Sequence, residues 1–173
     1  MIVEERHASV VLRALEPEDL DFLYTIENDR EMWDVGTTNV PYSRFALNNY
    51  ILGCSNDIFT DKQLRLMVQD TQSRKIGLVD VFNFEPLHHR AEIGIAIIKE
   101  CRGRGYGHEA LRETLLHCRN YIHIHQLSAF IDINNKRSLE LFKSLGFNTV
   151  TILKDWLFDG NHYHDAVFLQ KFL

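Results

Sequence analysis

The run Arg102-Gly103-Arg104-Gly105-Tyr106-Gly107 sets three glycines at alternate positions among two arginines. Glycine lets a backbone turn tightly and come close to a ligand with no Cβ in the way. An apolar stretch, Ile93 to Ile98, precedes the run and a helical pattern follows it. A loop so placed aims several N–H groups into one hollow at the positive end of a helix. That arrangement suits a pyrophosphate, and Arg102 and Arg104 add charge. Three readings compete. A nucleoside triphosphate loop needs Gly-Lys-Ser/Thr after a four-residue spacer, and here His108 and Glu109 follow. That reading fails. A dinucleotide fingerprint stays open, because Gly105-x-Gly107-x-x-Ala110 fits it and Asp132 ends the next apolar run. An ordinary βα turn is the plainest alternative.

The elements that must position this loop follow from periodicity. Val10 to Leu15 reads as a first strand. Pro17 suits the opening of a helix, with Glu18 and Asp19 at its positive end. Leu20, Phe22, Leu23, Tyr24 and Ile26 then give a helical stripe to about Asn28. A second helix, about Ser43 to Cys54, offers Phe45, Leu47, Tyr50 and Ile51 for burial. Leu64–Val68 and Ile76–Phe82 read as antiparallel strands joined by the polar turn Thr71-Gln72-Ser73-Arg74. Ile93–Ile98 is apolar on both faces and so belongs in the middle of a sheet. A helix from Gly105 to about Arg119 has Ala110, Leu111, Leu115 and Cys118 on one face, a strand spans Leu127–Ile133, and a helix runs from Lys136 to Leu145. Gly146 suits a left-handed helix stop covered by Phe147. Two last strands, Thr149–Phe158 and Tyr163–Leu169, flank the tight turn Asp159-Gly160-Asn161. The fold class is mixed α/β, with a central sheet of seven strands and helices on both faces.

A chain of 173 residues predicts one domain, residues 1–173, large enough to need no disulfide or metal staple. No apolar run approaches the ~20 residues that span a bilayer, and the start of the chain lacks the pattern of a signal peptide. A net charge of −5 argues against wholesale binding of nucleic acid. Cys54, Cys101 and Cys118 show no paired spacing, so free thiols in the cytoplasm are expected. His123-x-His125 and His162-x-His164 have ligand-like spacing but no acidic or cysteine partner near them in sequence, so no metal is expected.

The sequence resembles the GNAT superfamily of acetyl-CoA-dependent N-acetyltransferases, whose phosphate loop Arg/Gln-x-x-Gly-x-Gly/Ala appears as Arg102-x-x-Gly105-x-Gly107. Asn135-Lys136-Arg137-Ser138 and Leu141-Phe142-Lys143-Ser144-Leu145-Gly146-Phe147 look like its Asn-x-x-Ala/Ser … Tyr-x-x-Leu-Gly-Phe element. Val11 to Leu20 and Gly160-x-x-Tyr163-x-Asp165 resemble the ends of one branch, which contains the spermidine and the ribosomal-protein N-terminal acetyltransferases. Ile76 to Asp80 and His88 to Glu92 resemble the spermidine enzymes in particular.

The resemblance implies acetyl-CoA as co-substrate, held between two parallel strands ending near Ile98 and Ile133. It assigns the pantetheine to main-chain groups of Ile95 and Ile97. The pyrophosphate falls to the N–H groups of Arg102, Gly103, Arg104, Gly105, Tyr106, Gly107 and His108. Asn135, Ser138 and Phe142 belong to the cofactor side, because positions 135, 138, 139 and 142 share one helical face. Asn135 has a plain reading too, as a helix N-cap. The implied reaction is direct transfer of acetyl to a primary amine, with a polyamine such as spermidine as acceptor. N-terminal acetylation of a ribosomal or other protein, and a non-catalytic acyl-CoA-binding module, are the alternatives. An amine of pKa about 10 arrives protonated, and Glu92, then Glu85 and Asp80, are the candidate proton takers. Glu31, Trp33, Asp80 and Glu85 are the candidate acceptor contacts, since carboxylates beside an aromatic ring attract a polycation. The sequence departs from the family at Phe142, where a tyrosine commonly protonates the leaving thiolate. Water, another hydroxyl such as Tyr106 or Tyr163, or unassisted departure must replace it. The family also admits homo-oligomers.

Overall fold

The computed structural model describes residues 8–29 and 40–173. Seven strands form one sheet in the order β1-β2-β3-β4-β5-β7-β6. They are β1 (Val10–Ala14), β2 (Leu64–Asp70), β3 (Lys75–Glu85), β4 (Arg90–Ile97), β5 (Gln126–Asp132), β6 (Asn148–Phe158) and β7 (Tyr163–Phe172). The helices are α1 (Leu20–Glu27), α2 (Arg44–Gly53), α3 (Ile58–Asp61), α4 (Tyr106–His117) and α5 (Lys136–Ser144). All neighbours pair antiparallel except β4 and β5, which run parallel at the centre. The mixed seven-stranded sheet is the one the periodicity predicts.

Two apolar layers hold helices to opposite faces. On one, Ala110, Leu111 and Leu115 of α4 and Leu139 and Phe142 of α5 pack with Val79, Val81, Ile93, Leu127, Ile131 and Leu169. On the other, Leu23 and Ile26 of α1 and Leu47 and Ile51 of α2 cover Met67 and Leu78. Strand side chains alternate between these layers with period two. Phe45 corrects the expectation for α2: it is 75% exposed. Leu47 and Ile51, four apart, share the face on the sheet, and position 45 lies well round the helix from both. Gly146 ends α5 at φ +85°, and Phe147 is buried over it. α3 is a single turn capped by Asp57, whose carboxylate accepts from the Phe59 N–H at 3.1 Å. Among the described residues no helix is long and apolar enough to cross a membrane.

Asp19 does more than favour a helix start. It is fully buried and accepts from both Arg13 guanidinium nitrogens at 2.7 and 2.8 Å. The Glu16 N–H donates to it at 2.8 Å, and Lys75 Nζ lies at 2.6 Å. One carboxylate thus ties β1, the turn ahead of α1 and the first residue of β3. Burial alone would raise its pKa, but these donors hold it well below the usual carboxylate range. A depressed native pKa means the stabilisation is complete above the unfolded value, about 3.9, and is lost as pH falls through the lower native one. We expect Asp19→Asn to lower unfolding free energy at pH 7 by about 2–3 kcal/mol. That is less than the 3–5 of a fully buried pair because Arg13 and Lys75 are each 28% exposed. Urea titrations at pH 7 and pH 3 check this; the gap between variant and wild type should narrow at the lower pH.

Candidate active site

The parallel pairing of β4 with β5 lasts three steps, Arg90↔Gln126, Ala91↔Leu127 and Glu92↔Ser128. Beyond Glu92, β4 stays with β3 as far as Gly77↔Ile97, and β5 stays with β7 as far as Asp132↔Ala166. The sheet therefore forks. The Ile98 N–H donates to the Ile76 carbonyl at 3.0 Å, and alternate residues of an antiparallel strand turn their backbone groups to the same neighbour. Gly94, Ala96 and Ile98 thus bond toward β3, and Ile93, Ile95 and Ile97 turn their N–H and C=O groups into the fork. Of these, the Ile97 carbonyl accepts from Arg102 Nε at 2.8 Å.

The fork opens into a cleft of about 430 Å³ lined by Ile93–Ile97 on one side and Ala129–Asp132 on the other. Gly103, Gly105, Gly107 and His108 close its upper end, and Asn135, Arg137, Ser138, Leu141 and Phe142 of α5 and its cap line its wall. Gly103 and Gly105 adopt φ of +77° and +85°, the left-handed region that glycine enters without strain. Gly107 serves differently: a Cβ there would stand 3.4 Å from Leu141 Cδ2 and 3.8 Å from Ile95 Cδ1. No side chain caps α4. Among the described residues no backbone acceptor meets the N–H groups of residues 103–108, which leaves a nest of donors at the positive end of a twelve-residue helix.

Three refinements of the sequence reading follow. The Arg102 N–H donates to the Lys99 carbonyl at 3.3 Å and its Nε to Ile97, so Arg102, which also lines the cleft, braces the loop, and among the described residues the amides without a backbone acceptor begin at Gly103. Asn135 takes the cap role. Its Oδ1 accepts the Ser138 N–H at 3.1 Å as N-cap, which leaves its NH₂ as a donor for the cleft it lines. The Tyr106 side chain packs against the core and lies outside the cleft lining, so its contribution there is its N–H alone.

Arg137 was not singled out from the sequence. Its Nη2 stands 2.9 Å from where a Cβ on Gly103 would be, which brings a guanidinium over the glycine loop. The signal was present: Lys136 and Arg137 are cations in the first turn of α5, with no acidic residue there. A helix dipole disfavours that placement unless an anion is near.

On the α1/α2 face, Glu92 stands at the last paired step of the fork, and its Oε1 accepts from Asn83 Nδ2 at 2.9 Å. Glu85 is exposed and opposite Arg90, two residues further from the opening. Neither lines the cleft. Asp80 is taken by Arg65, whose Nε and Nη2 reach its oxygens at 2.5 and 3.1 Å while Nη1 reaches Glu27 at 2.7 Å. Burial works against the Arg65 charge, but Asp80 and Glu27 more than offset it, so the guanidinium is held charged more firmly than usual. Asp80 is thus engaged inside the protein by a guanidinium that it shares with Glu27. Glu31 and Trp33 lie outside the described residues.

Comparison with known proteins agrees with this geometry. A family model described as an acetyltransferase (GNAT) domain matches residues 9–148. The spermidine N(1)-acetyltransferase of Vibrio cholerae is 25% identical over 160 residues, 92% of this chain and 91% of that protein. A crystal structure of spermidine N-acetyltransferase from Vibrio cholerae in complex with CoA and spermine superposes with a TM-score of 0.83 at 25% identity, over 94% of this chain and 95% of that one. A dodecameric structure of the enzyme from the same organism gives 0.79 at 25% identity, over 94% and 93% of the two chains.

Filling the cleft from Gly107 should block CoA and spare the fold. At 100 times its Kd, CoA stabilises a protein that binds it only when folded by about 2.7 kcal/mol. A thermal-shift titration should show that gain in the wild type and none in Gly107→Leu, with the two ligand-free melting temperatures within a few degrees.

Proposed function

The chain belongs to the GNAT family of acetyl-CoA-dependent N-acetyltransferases, and from that premise we propose that it acetylates a primary amine of a polyamine such as spermidine. The observation that carries the choice of acceptor is the match to the spermidine enzyme along nearly the full length of both chains. The described residues then work as one catalytic domain.

In the proposed reaction the diphosphate of acetyl-CoA sits on the amides of residues 103–108, with Arg104 and Arg137 supplying charge. The pantetheine runs along the open edge of β4, bonded to main-chain groups of Ile95 and Ile97 and to the Asn135 NH₂. An N–H of that edge polarises the thioester carbonyl. The amine comes from the α1/α2 face and must first lose a proton. Glu92 at the fork is the receiver, through water, because Asp80 is held by Arg65 and Glu85 stands further off. The nitrogen then attacks the carbonyl carbon, and the C–S bond breaks as the amide forms.

The partner surface is β6. It is the outermost strand and exposed along most of its length, with Val150, Ile152, Trp156 and Phe158 at 45–58% exposure. Trp156 stacks on Phe130, which stacks on Phe168, so the apolar surface continues inward across the sheet. A bare edge carrying such a patch is a liability that a second copy would cover. Together with the dodecamer of the relative, this supports a homo-oligomer. The three free thiols, Cys54, Cys101 and Cys118, support a reducing, cytoplasmic setting.

Thiol release from acetyl-CoA should be fastest with spermidine or spermine in a panel that includes lysine and a peptide with a free alanine N-terminus. Turnover confined to the peptide would overturn the polyamine assignment. With spermidine at pH 7, Glu92→Gln should lower kcat/KM at least tenfold. That deficit should shrink toward pH 10, where the amine sheds its proton unaided; a constant deficit would deny Glu92 the proton. Light scattering should report an assembly larger than a monomer, reduced in size by Trp156→Lys.

A further inference from the structure

Phe142 stands where the reaction wants a hydroxyl, and it cannot supply one. Its ring is 3% exposed and packs edge-on against Phe147, centroids 5.0 Å apart. The tyrosines offered as substitutes lie elsewhere: Tyr106 faces the core, and Tyr163, 65% exposed, pairs with Phe158 beside the β6–β7 turn. Among the described residues lining the cleft, one side chain carries a hydroxyl, and it is Ser138.

We propose that Ser138 donates the hydrogen bond that the coenzyme A sulfur needs as it leaves, in place of the absent phenol. The proposal rests on the acetyl-transfer reading above. Three observations carry it. Ser138 is half-buried in the cleft wall, and its N–H is engaged by the Asn135 cap while no acceptor among the described residues holds its hydroxyl. It sits four residues before Phe142, so the two share one face of α5 with Cβ atoms about 5–6 Å apart. Long helical side chains lean back over the preceding turn. A hydroxyl on the ring of residue 142 and the Ser138 hydroxyl therefore address the same stretch of the cleft.

The other protic groups lining the cleft are placed worse. Cys101 is 2% exposed in the core, and His108 lies in the first turn of α4, at the diphosphate end. Asp132 is already engaged, its Oδ1 accepting the Asn134 N–H at 2.6 Å.

The step balances as follows. The amine nitrogen bonds to the carbonyl carbon, the C–S bond breaks, and its electron pair goes to sulfur. Ser138 gives its proton to sulfur while taking one from cleft water, because a serine alkoxide would be a worse product than a thiolate, and that water takes back the second proton, which nitrogen sheds as the amide forms. The proton removed from the ammonium leaves through Glu92 to solvent. The sum is ammonium plus acetyl-CoA going to amide, free thiol and one proton.

The test compares wild type, Ser138→Ala and the double variant Ser138→Ala/Phe142→Tyr, each assayed for thiol release with acetyl-CoA and spermidine and for the thermal shift given by CoA. Ser138→Ala should lose at least tenfold in kcat, with KM for acetyl-CoA within twofold and the CoA shift unchanged. Restoring a phenol at 142 should return most of the loss. An unchanged kcat, a raised KM at constant kcat (Ser138 only binding pantetheine), or no recovery in the double variant overturns the proposal. A wild type that binds CoA and turns over no amine overturns the acetyl-transfer reading along with it, which separates the two failures.

Discussion

A backbone N–H or C=O taken out of water must find a partner, and a β-sheet normally guarantees one on each side of an interior strand. This molecule breaks that guarantee at the centre of its sheet. β4 is flanked by β3 along its length and by β5 for three residues only. From Ile93 upward one edge of a central, apolar strand faces an opening. The edge is a row of donors and acceptors at regular spacing, fixed by the strand and not by mobile side chains. An extended chain carrying amide groups can bond to it as a strand would. That is why the cleft suits the pantetheine arm of coenzyme A better than a flat aromatic ligand.

The fork is held by what lies around it. On the α4/α5 face one continuous apolar layer includes residues of β3, β4, β5 and β7, so the two halves of the sheet share a core although their strands have parted. The first turns of α4 and α5 converge above the opening. α4 leaves its leading amides uncapped and α5 carries Lys136 and Arg137 at its start. The first leaves leading amides to water, and the second sets cations against the helix dipole. An anion between the two helix ends would answer both.

Local signals made much of this legible in the sequence. The seven strands, the helix after the glycine loop with its buried face, and the left-handed stop at Gly146 rest on periodicity and single-residue conformational preference. Such signals act over a few residues, so one chain suffices to read them. Distant pairings were not legible. The Arg65 contacts with Glu27 and Asp80 join residues 38 and 15 apart in sequence, and they decide which carboxylates near the fork are held by a cation. The fork itself is the absence of pairing between strands separated by a helix, and no residue type announces an absence. Arg137 lies between these cases. Its cost at a helix start could be read, but the glycine it overhangs is 34 positions away, too far for spacing alone to connect them.

The period of a β-strand also sorts the proposed reaction into two sides. Along β4 the odd residues, Ile93, Ile95 and Ile97, turn their backbone groups into the fork and their side chains toward α4 and α5. The even residues turn their side chains toward α1 and α2, and there the sequence changes character. Glu92 at the base of the fork is followed by Gly94 and Ala96, two of the smallest side chains. On the α4/α5 face the strand is lined with bulk; on the other it sets small residues above a single carboxylate, with the Phe82 ring 3.7 Å from where a Cβ on Gly94 would stand. A one-residue slip of β4 against β3 would exchange the faces, placing isoleucines where the amine must pass and the carboxylate in the apolar layer beneath α4. The proposed reaction therefore depends on the unbroken register from Gly77↔Ile97 to Phe82↔Glu92. Its nearest disruption, the irregularity between Phe82 and Glu85, falls just past Glu92, where a shift no longer moves any residue at the fork.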